Sequence, residues 1–196
     1  MKEIPQRKPN RLKDYDYSQD GAYFVTICAK NRLELFATID VGAAFCRPCL
    51  THAGKIIENE ISILSSTYEG VSVDYYVIMP NHVHMIIGIS DMWRHEGNGR
   101  NAEEHGRHAA PTVSRMINQW KRAVSIKIGY SVWQKSFHDH IIRNENDYRR
   151  VAEYIENNPQ RWTEDCFYIA DPGVRGSSTG RGGILPPVPD AHGRNN

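Results

Sequence analysis

Two histidines separated by one residue, His82 and His84, lie in the apolar run MPNHVHMII (79–87). Residues i and i+2 of a β-strand point to the same face, so the two imidazoles are expected to project together. A pair of neighbouring imidazoles can bind one divalent cation. Two ordinary hydrogen-bonded histidines near a strand end would give the same pattern. Because buried imidazoles need polar partners, a metal ion is one way to satisfy them.

A metal held by two histidines needs a third ligand and a reacting group, and the segment 146–158 offers both. It is predicted to be a helix, on which Tyr154 and Asn158 lie one turn apart on one face. Val151 and Ile155 would press that face onto the sheet. An Asn158 amide oxygen suits a hard cation. A tyrosine oxygen beside a metal that polarises a phosphate is an arrangement for phosphoryl transfer through a covalent phosphotyrosine.

Tyr148 is the rival nucleophile on the same predicted helix. It lies six residues before Tyr154 and so points to the opposite edge of the apolar stripe. It also lacks a candidate metal ligand one turn further on, which favours Tyr154.

The elements that must position these residues follow from hydrophobic patterning and from turn residues. The predicted strands are 22–29, 33–39, 69–80 and 82–89, with a further short strand possible within 131–143. Three helices are predicted: the first begins near Thr51, the second covers 112–128 and the third covers 146–158. This order predicts an α+β fold, in which an antiparallel sheet carries the helices on one face.

The flanking segments have a different composition from this domain. Residues 1–20 are predicted to be a polar basic arm, 21–170 the catalytic domain, and 171–196 a disordered tail rich in Gly, Pro and Ser. The segment 91–111 is predicted to be a loop. Cys46 and Cys49 form a CRPC that could be half of a zinc site, but no second pair follows, which favours a surface turn.

Composition excludes several classes of protein. The chain has 196 residues, 40% apolar and 24% charged, and a formal net charge of +1. A protein that coats nucleic acid nonspecifically is usually far more basic, so any nucleic-acid contact must be a local patch. No apolar run approaches the roughly 20 residues that span a bilayer. The charged N-terminus lacks the apolar region of a secretion signal, which predicts a cytoplasmic protein without membrane contact.

The same residues occur in segments that resemble a known family. The matching segments are GAYFVTICAKNR (21–32), YVIMPNHVHMIIGI (76–89), SRMINQWKRAVS (114–125) and VWQKSFHDHIIRNENDYRRVAEYIENNPQRW (132–162). In this order they resemble the HUH single-tyrosine transposases, and among them the REP-associated tyrosine transposases. The resemblance covers most of residues 10–165.

The resemblance implies a ferredoxin-like sheet with the two histidines on a central strand. It implies a Mg2+ or Mn2+ ion held by His82, His84 and Asn158, although some relatives carry glutamine at the third position. It further implies that Tyr154 cleaves and rejoins single-stranded DNA, which folds into hairpins, through a 5′-phosphotyrosine. The implied setting is a bacterial protein at the nucleoid, acting as a monomer or homodimer.

DNA contacts are expected from basic residues, because lysine and arginine bind phosphates. The helix 112–128 is the first candidate, through Arg115, Lys121, Arg122 and Lys127. The N-terminal arm is the second, through Arg7, Lys8 and Arg11. The residues expected near the nucleophile are Arg143, Arg149 and Arg150.

Other functions are compatible with parts of this pattern. A non-catalytic module that binds single-stranded DNA could keep the fold without the chemistry. An HUH replication initiator or relaxase would use the same chemistry, but the small size and the lack of a helicase or primase segment favour the transposase. A histidine-triad hydrolase needs a third alternating histidine, and that position is Ile86.

Overall fold

The computed structural model describes residues 19–40, 47–90 and 112–169. The predictions for the N-terminal arm with Arg7, Lys8 and Arg11, for the loop 91–111 and for the tail from 171 lie outside the described residues. Within these ranges, no helix is both long and apolar enough to cross a membrane.

The secondary structure follows the predicted order closely. The strands are β1 Gly21–Cys28, β2 Ala37–Thr38, β3 Cys49–Leu50, β4 Val71–Ile78, β5 His82–Ile89 and β6 His138–Ile142. The helices are α1 His52–Thr67, α2 Val113–Ile128 and α3 Glu145–Asn157, with short 3-10 turns at Lys30–Arg32 and Pro159–Glu164.

The main sheet has four strands in the order β4-β5-β1-β6, and each neighbouring pair is antiparallel. Chain order through this sheet is β1-α1-β4-β5-α2-β6, so each of the two helices connects strands that are separated by another strand. This is the ferredoxin-like arrangement. The predicted α+β class with an antiparallel sheet is confirmed.

The two faces of the sheet are covered differently. Val25 and Met85 belong to the large core that includes residues of α1 and α2. Phe24 and Ile86, their neighbours in sequence, pack instead against Ile155 and the rest of the apolar stripe of α3. The prediction placed all helices on one face. This holds for α1 and α2, whereas α3 lies on the opposite face because its stripe meets the alternate residues of β1 and β5.

The start of α3 is held by polar contacts to the edge strand β6. Asn144 is the N-cap, and its Oδ1 accepts from the Asp147 backbone amide at 2.9 Å. The Asp147 carboxylate accepts from His140 Nε2 of β6 at 2.9 Å and from Arg150 at 2.7 Å. An N-cap of this kind contributes about 1 kcal/mol. These contacts set the position of α3, which carries Tyr154.

The predicted strand 33–39 is much shorter in the structure. Only Ala37–Thr38 pairs, with Cys49–Leu50, while Leu33 is exposed. Phe36 is fully buried against Trp133, with ring centroids 5.0 Å apart, and its amide donates to the Pro80 carbonyl at 2.9 Å. A side chain anchored in the core therefore produced the apolar pattern here, without a long strand.

Candidate metal and nucleophile site

The side chains of His82 and His84 project from the same face of β5, and both are almost fully buried. Their ring centroids are 4.4 Å apart. His84 Nδ1 lies 2.8 Å from the hydroxyl of Thr26 on the neighbouring strand β1. His82 Nδ1 lies 2.9 Å from Oδ1 of Asn81. Both rings are thus held through Nδ1, and each Nε2 is left for another partner.

Asn81 determines which nitrogen of His82 carries the proton. The Asn81 amide Nδ2 donates to the carbonyls of Phe167 at 2.8 Å and Arg32 at 3.3 Å. These two acceptors orient the amide, so Oδ1 faces His82 and can only accept. His82 Nδ1 must therefore be the protonated nitrogen, and its Nε2 lone pair is free for a cation. Sequence reasoning passed over Asn81, although it directly precedes the first histidine.

The unpaired Nε2 of His82 is the strongest indication of a bound cation. It is buried, and within the described ranges it has no hydrogen-bond partner. Asp165 brings a carboxylate to the same place: one ligand atom from each of His82, His84 and Asp165 can be chosen so that all three lie within 4.8 Å of one another. Two imidazoles and a carboxylate are ordinary ligands of divalent metals. The donor set fits such an ion.

Burial keeps both imidazoles neutral, as metal ligation requires. Loss of solvation lowers the pKa of His82 well below its usual value, with smaller contributions from His84 and Arg32. The same burial lowers the pKa of His84 to about 3. At neutral pH each ring therefore carries one nitrogen with a lone pair, and in His82 the contact to Asn81 assigns that lone pair to Nε2.

Tyr154 reaches this cluster from α3 on the facing layer. Its hydroxyl lies 3.4 Å from His84 Nε2 and 3.5 Å from Asp165 Oδ2. Its ring packs edge-on against Phe24, with centroids 6.0 Å apart. Burial, followed by the nearby Asp165 charge, raises the pKa of Tyr154. The phenol is therefore protonated at rest and needs an acceptor or a nearby cation to become a nucleophile.

Asn158, the predicted third ligand, lies beside the cluster. Its Nδ2 donates to Asp165 Oδ2 at 2.9 Å, while its Oδ1 is buried without a hydrogen-bond partner among the described residues. In this arrangement Asn158 orients the Asp165 carboxylate. Asp165 was missed from the sequence, since it follows the 3-10 turn Pro159–Glu164, where no periodic pattern marks a face. The only sequence signal was an acid soon after the proline that ends α3.

Tyr148, the rival nucleophile, points away from the histidines. Its hydroxyl donates to Asp74 Oδ2 on β4 at 2.9 Å. Burial and the Asp74 contact raise the pKa of Tyr148 to about 12. Its side chain therefore belongs to the opposite edge of α3, as the helical spacing indicated.

A pocket of about 260 Å³ opens beside Tyr154. Its lining combines acids, amides and two arginines: Arg150, Glu153, Tyr154, Asn157, Asn158, Arg161, Glu164 and Asp165. The two arginines supply the positive charge of this pocket. Arg150 was predicted to lie near the nucleophile, whereas Arg161 was not singled out.

The basic residues of α2 lie in the layer across the sheet from this cluster. Arg115 and Arg122 are exposed there. Lys127 forms an ion pair with Glu60 of α1. Lys121 is buried, its Nζ donates to the Gln134 carbonyl at 2.7 Å, and burial lowers its pKa. Its amine therefore supports the packing of the 131–135 segment in this conformation.

The arginines at the start of α3 differ in their surroundings. Arg143 is exposed, and its backbone amide contacts Asp147. Arg149 is exposed and pairs with Glu145 one turn earlier. Only Arg150 also lines the pocket beside Tyr154.

Comparison with known proteins finds a relative in sequence. A Haemophilus influenzae protein, described as an uncharacterized protein, is 31% identical over 175 residues, which cover 85% of this chain and 95% of that protein. No family model matches the chain.

Among solved structures, a similar fold occurs in a protein described as a transposase. A REP-associated tyrosine transposase bound to a REP hairpin superposes with a TM-score of 0.52 and 22% identity, over 77% of this chain and 74% of that one. A putative transposase from Deinococcus radiodurans matches with a TM-score of 0.41 and 13% identity, over 75% of this chain and 95% of that one. The first likeness confirms the fold that the resemblance of the sequence motifs implied.

Proposed function

The chain belongs to one family with the uncharacterized Haemophilus influenzae protein and has the fold of a REP-associated tyrosine transposase, and from these premises we propose that it is a DNA transposase. It cleaves and rejoins single-stranded DNA through a covalent bond to Tyr154. The observation that carries this proposal is the meeting of a protonated tyrosine with two neutral, buried histidines and a carboxylate. Each histidine is oriented by a polar contact at Nδ1, which is the arrangement expected of histidines that ligate a metal through Nε2.

His82, His84 and Asp165 would hold the ion, which we propose is Mg2+ or Mn2+. When bound, the ion supplies Lewis-acid polarisation of the scissile phosphate. Thr26 and Asn81 keep the two imidazoles in the required orientation. Asn158 orients the Asp165 carboxylate through its amide Nδ2 in the present arrangement. The alternative expected from the sequence, Asn158 as a direct ligand, requires its amide to turn so that Oδ1 faces the ion.

Tyr154 performs the covalent step. Its phenol oxygen attacks the phosphorus of one phosphodiester and forms the P–O bond of a 5′-phosphotyrosine. The bond from phosphorus to the 3′ oxygen breaks, the phenol gives up its proton, and the leaving 3′ oxygen gains one. A 3′-hydroxyl can then attack the phosphotyrosine in reverse, which rejoins a strand and restores the phenol. Each step exchanges one phosphate ester for another, so no nucleotide cofactor is needed.

The proposed substrate is single-stranded DNA that forms hairpins. The support is the solved neighbour, which is bound to a REP hairpin. Arg150 and Arg161, in the pocket beside Tyr154, are placed to contact phosphates of the strand. The exposed Arg115 and Arg122, on the layer across the sheet, would contact a part of the DNA remote from the cleavage point. We also propose contacts to DNA phosphates by Lys127, Arg143 and Arg149.

The test is adduct formation with labelled hairpin DNAs that carry single-stranded flanks, in Mn2+ and in EDTA. Denaturing gels would compare the wild-type protein with Tyr154→Phe and with the matched variant Tyr148→Phe. We expect a metal-dependent protein–DNA adduct that Tyr154→Phe abolishes and Tyr148→Phe retains. Loss of the adduct only in Tyr148→Phe would transfer the role of nucleophile. DNA binding without any adduct or cleavage would instead support a non-catalytic binding module.

A further inference from the structure

A second pocket, more basic than the first, is lined by the 3-10 turn Lys30–Arg32 and by residues of the segment 131–135. Its volume is about 720 Å³. Its lining contains three cations and no acid: Lys30, Asn31, Arg32, Ser131, Trp133, Gln134 and Lys135. In a chain with a net charge of +1, three cations without an acid form a local positive patch. None of these cations was among the predicted DNA contacts.

The cations of this pocket are available to a ligand. Lys30, Arg32 and Lys135 are exposed, and within the described part of the chain none of them forms an ion pair. Arg32 uses Nη1 to donate to the Cys166 carbonyl at 3.2 Å, and its guanidinium lies 5.3 Å from the centre of the Phe167 ring. A guanidinium has five N–H donors, so Arg32 can be anchored there and still meet an anion.

The backbone of the pocket is held in an unfavourable conformation. Asn31 and Arg32 have φ values of 56° and 55°, in the left-handed region that non-glycine residues seldom adopt. The flanking contacts impose this shape: Lys30 N donates to the Val132 carbonyl at 2.7 Å, and the Arg32 carbonyl accepts from Asn81. Such strain persists where the surroundings enforce it and is concentrated at functional sites. This backbone conformation fixes the directions in which the Lys30 and Arg32 side chains leave the main chain.

Hydrogen bonds of Asn81 connect the basic pocket to the cluster formed by His82, His84 and Asp165. Asn81 Nδ2 donates both to Arg32, which lines the pocket, and to Phe167, two residues after Asp165. The same Asn81 orients His82. Arg32 is thus hydrogen-bonded to the residue that orients His82, and its side chain contacts the Asp165–Phe167 segment.

We propose that this pocket binds backbone phosphates of the same DNA strand that Tyr154 cleaves. The inference rests on the proposed function and adds a second contact region to it. Phosphates fit better than bases, since the exposed groups are ammonium and guanidinium. Trp133 is buried, its Nε1 donates to the Lys121 carbonyl at 3.1 Å, and its ring packs on Trp120, so it forms a wall and not a stacking platform.

The test measures strand binding in the absence of cleavage. A labelled hairpin with single-stranded flanks is titrated with Tyr154→Phe protein in EDTA at several salt concentrations. Lys30→Gln and Lys135→Gln are added singly and together, with Lys55→Gln, an exposed lysine of α1, as the matched control. All the substituted lysines are exposed, so folding should be retained, and thermal unfolding checks it.

We expect each pocket variant to bind about threefold more weakly, and the double variant about tenfold. The slope of log K against log salt should fall by about 0.7 for each phosphate that the variant no longer binds, while Lys55→Gln changes neither quantity. Unchanged affinity and slope in the double variant would overturn the pocket assignment. A Tyr154-dependent adduct formed by wild-type protein would then leave the proposed function standing, whereas no binding and no adduct would remove both.

A competition arm separates the strand from a free anion as the source of the phosphates. If the pocket binds the DNA strand, tripolyphosphate should displace DNA no better than a simple salt does at the same ionic strength. A low-concentration displacement that Lys30→Gln with Lys135→Gln abolishes, together with unchanged DNA affinity, would identify a site for free polyphosphate and contradict the proposal.

Discussion

The two faces of strand β5 show how one segment serves stability and chemistry at once. Val83, Met85 and Ile87 point into the core under α1 and α2 and are fully buried among apolar side chains. His82 and His84, their alternate neighbours, are buried equally well but are held by polar partners under α3. The same degree of burial therefore has different energetic consequences on the two faces. One face gains free energy from burial alone, whereas the other needs hydrogen bonds and, we propose, a cation.

The largest effect should come from a cavity on the apolar face. Ile87→Ala should lower the free energy of unfolding by about 2–5 kcal/mol, because it removes packed methyl groups from a rigid core. Urea denaturation would measure this. The matched control is Ile126→Ala on α2, where the side chain is 68% exposed and the change should stay within about 0.5 kcal/mol. Similar losses at both positions would contradict the division between the faces.

A divalent cation should stabilise the polar face alone. Mn2+ at about a hundredfold excess over its dissociation constant should raise the free energy of unfolding of the wild-type protein by about 2.7 kcal/mol, because the ion binds only the folded state. Thermal unfolding with Mn2+ or EDTA would measure the difference. His82→Ala, His84→Ala and Asp165→Asn should each remove most of it, while Ile126→Ala retains it.

The same measurement decides between the two candidates for the third ligand. If Asp165 binds the ion directly, Asp165→Asn loses more of the Mn2+ stabilisation than Asn158→Ala. The reverse order would show that the amide of Asn158 turns and binds, as the sequence predicted.

Asn81 should act on the metal through His82. Asn81→Ala frees Nδ1 of His82 and the ring orientation, which should weaken Mn2+ binding about 10–100-fold. Isothermal titration of Mn2+ into Tyr154→Phe protein would measure the affinity. Thr26→Val is the parallel change for His84 and should give a similar loss. Undiminished affinity in both variants would show that the polar face does not need these orienting contacts.

The smallest effect concerns the anchorage of α3. Burial alone would raise the pKa of Asp147, but hydrogen bonds from His140 and Arg150 outweigh it and lower this pKa. A carboxyl with a lowered folded-state pKa stabilises the protein above its unfolded pKa of about 3.9, and this stability is lost as pH falls through the folded value.

Asp147→Asn should therefore cost about 1 kcal/mol at pH 7 and remove part of the acid destabilisation below about pH 4. Urea midpoints across pH 3–7 would measure this. An unaltered pH profile in Asp147→Asn would exclude Asp147 as a source of the acid sensitivity.

The regular parts of the fold could be predicted from periodicity. The β5 boundaries 82–89 are those predicted, and α3 begins one residue early, since β5 is an apolar run that follows a proline and α3 carries a clear apolar stripe. The proximity of Tyr154 to the histidines also followed, because a helical stripe with Val151 and Ile155 had to pack on the sheet. The face that α3 covers did not follow, since both faces of β5 are apolar enough to accept a helix.

The irregular parts of the site could not be predicted in this way. Asp165 and Asn81 act through contacts between segments distant in sequence, and a 3-10 turn or a two-residue corner has no repeating pattern. Lys121 illustrates another case: its place on a basic helix predicted a DNA contact, whereas in this structure its long side chain reaches inward to the Gln134 carbonyl.

The hydrogen bond from Asn81 to Phe167 joins residues 86 positions apart in the sequence. Assembly of the His82, His84 and Asp165 cluster therefore depends on how far synthesis of the chain has advanced. The four-stranded sheet needs residues only up to 142, so the histidine pair can be in place while the Asp165–Phe167 segment has yet to emerge from the ribosome. Until that segment docks, Asp165 is missing and one of the two carbonyls that orient Asn81 is absent. During synthesis, the proposed ability to cleave DNA would therefore be among the last properties that the folding protein acquires.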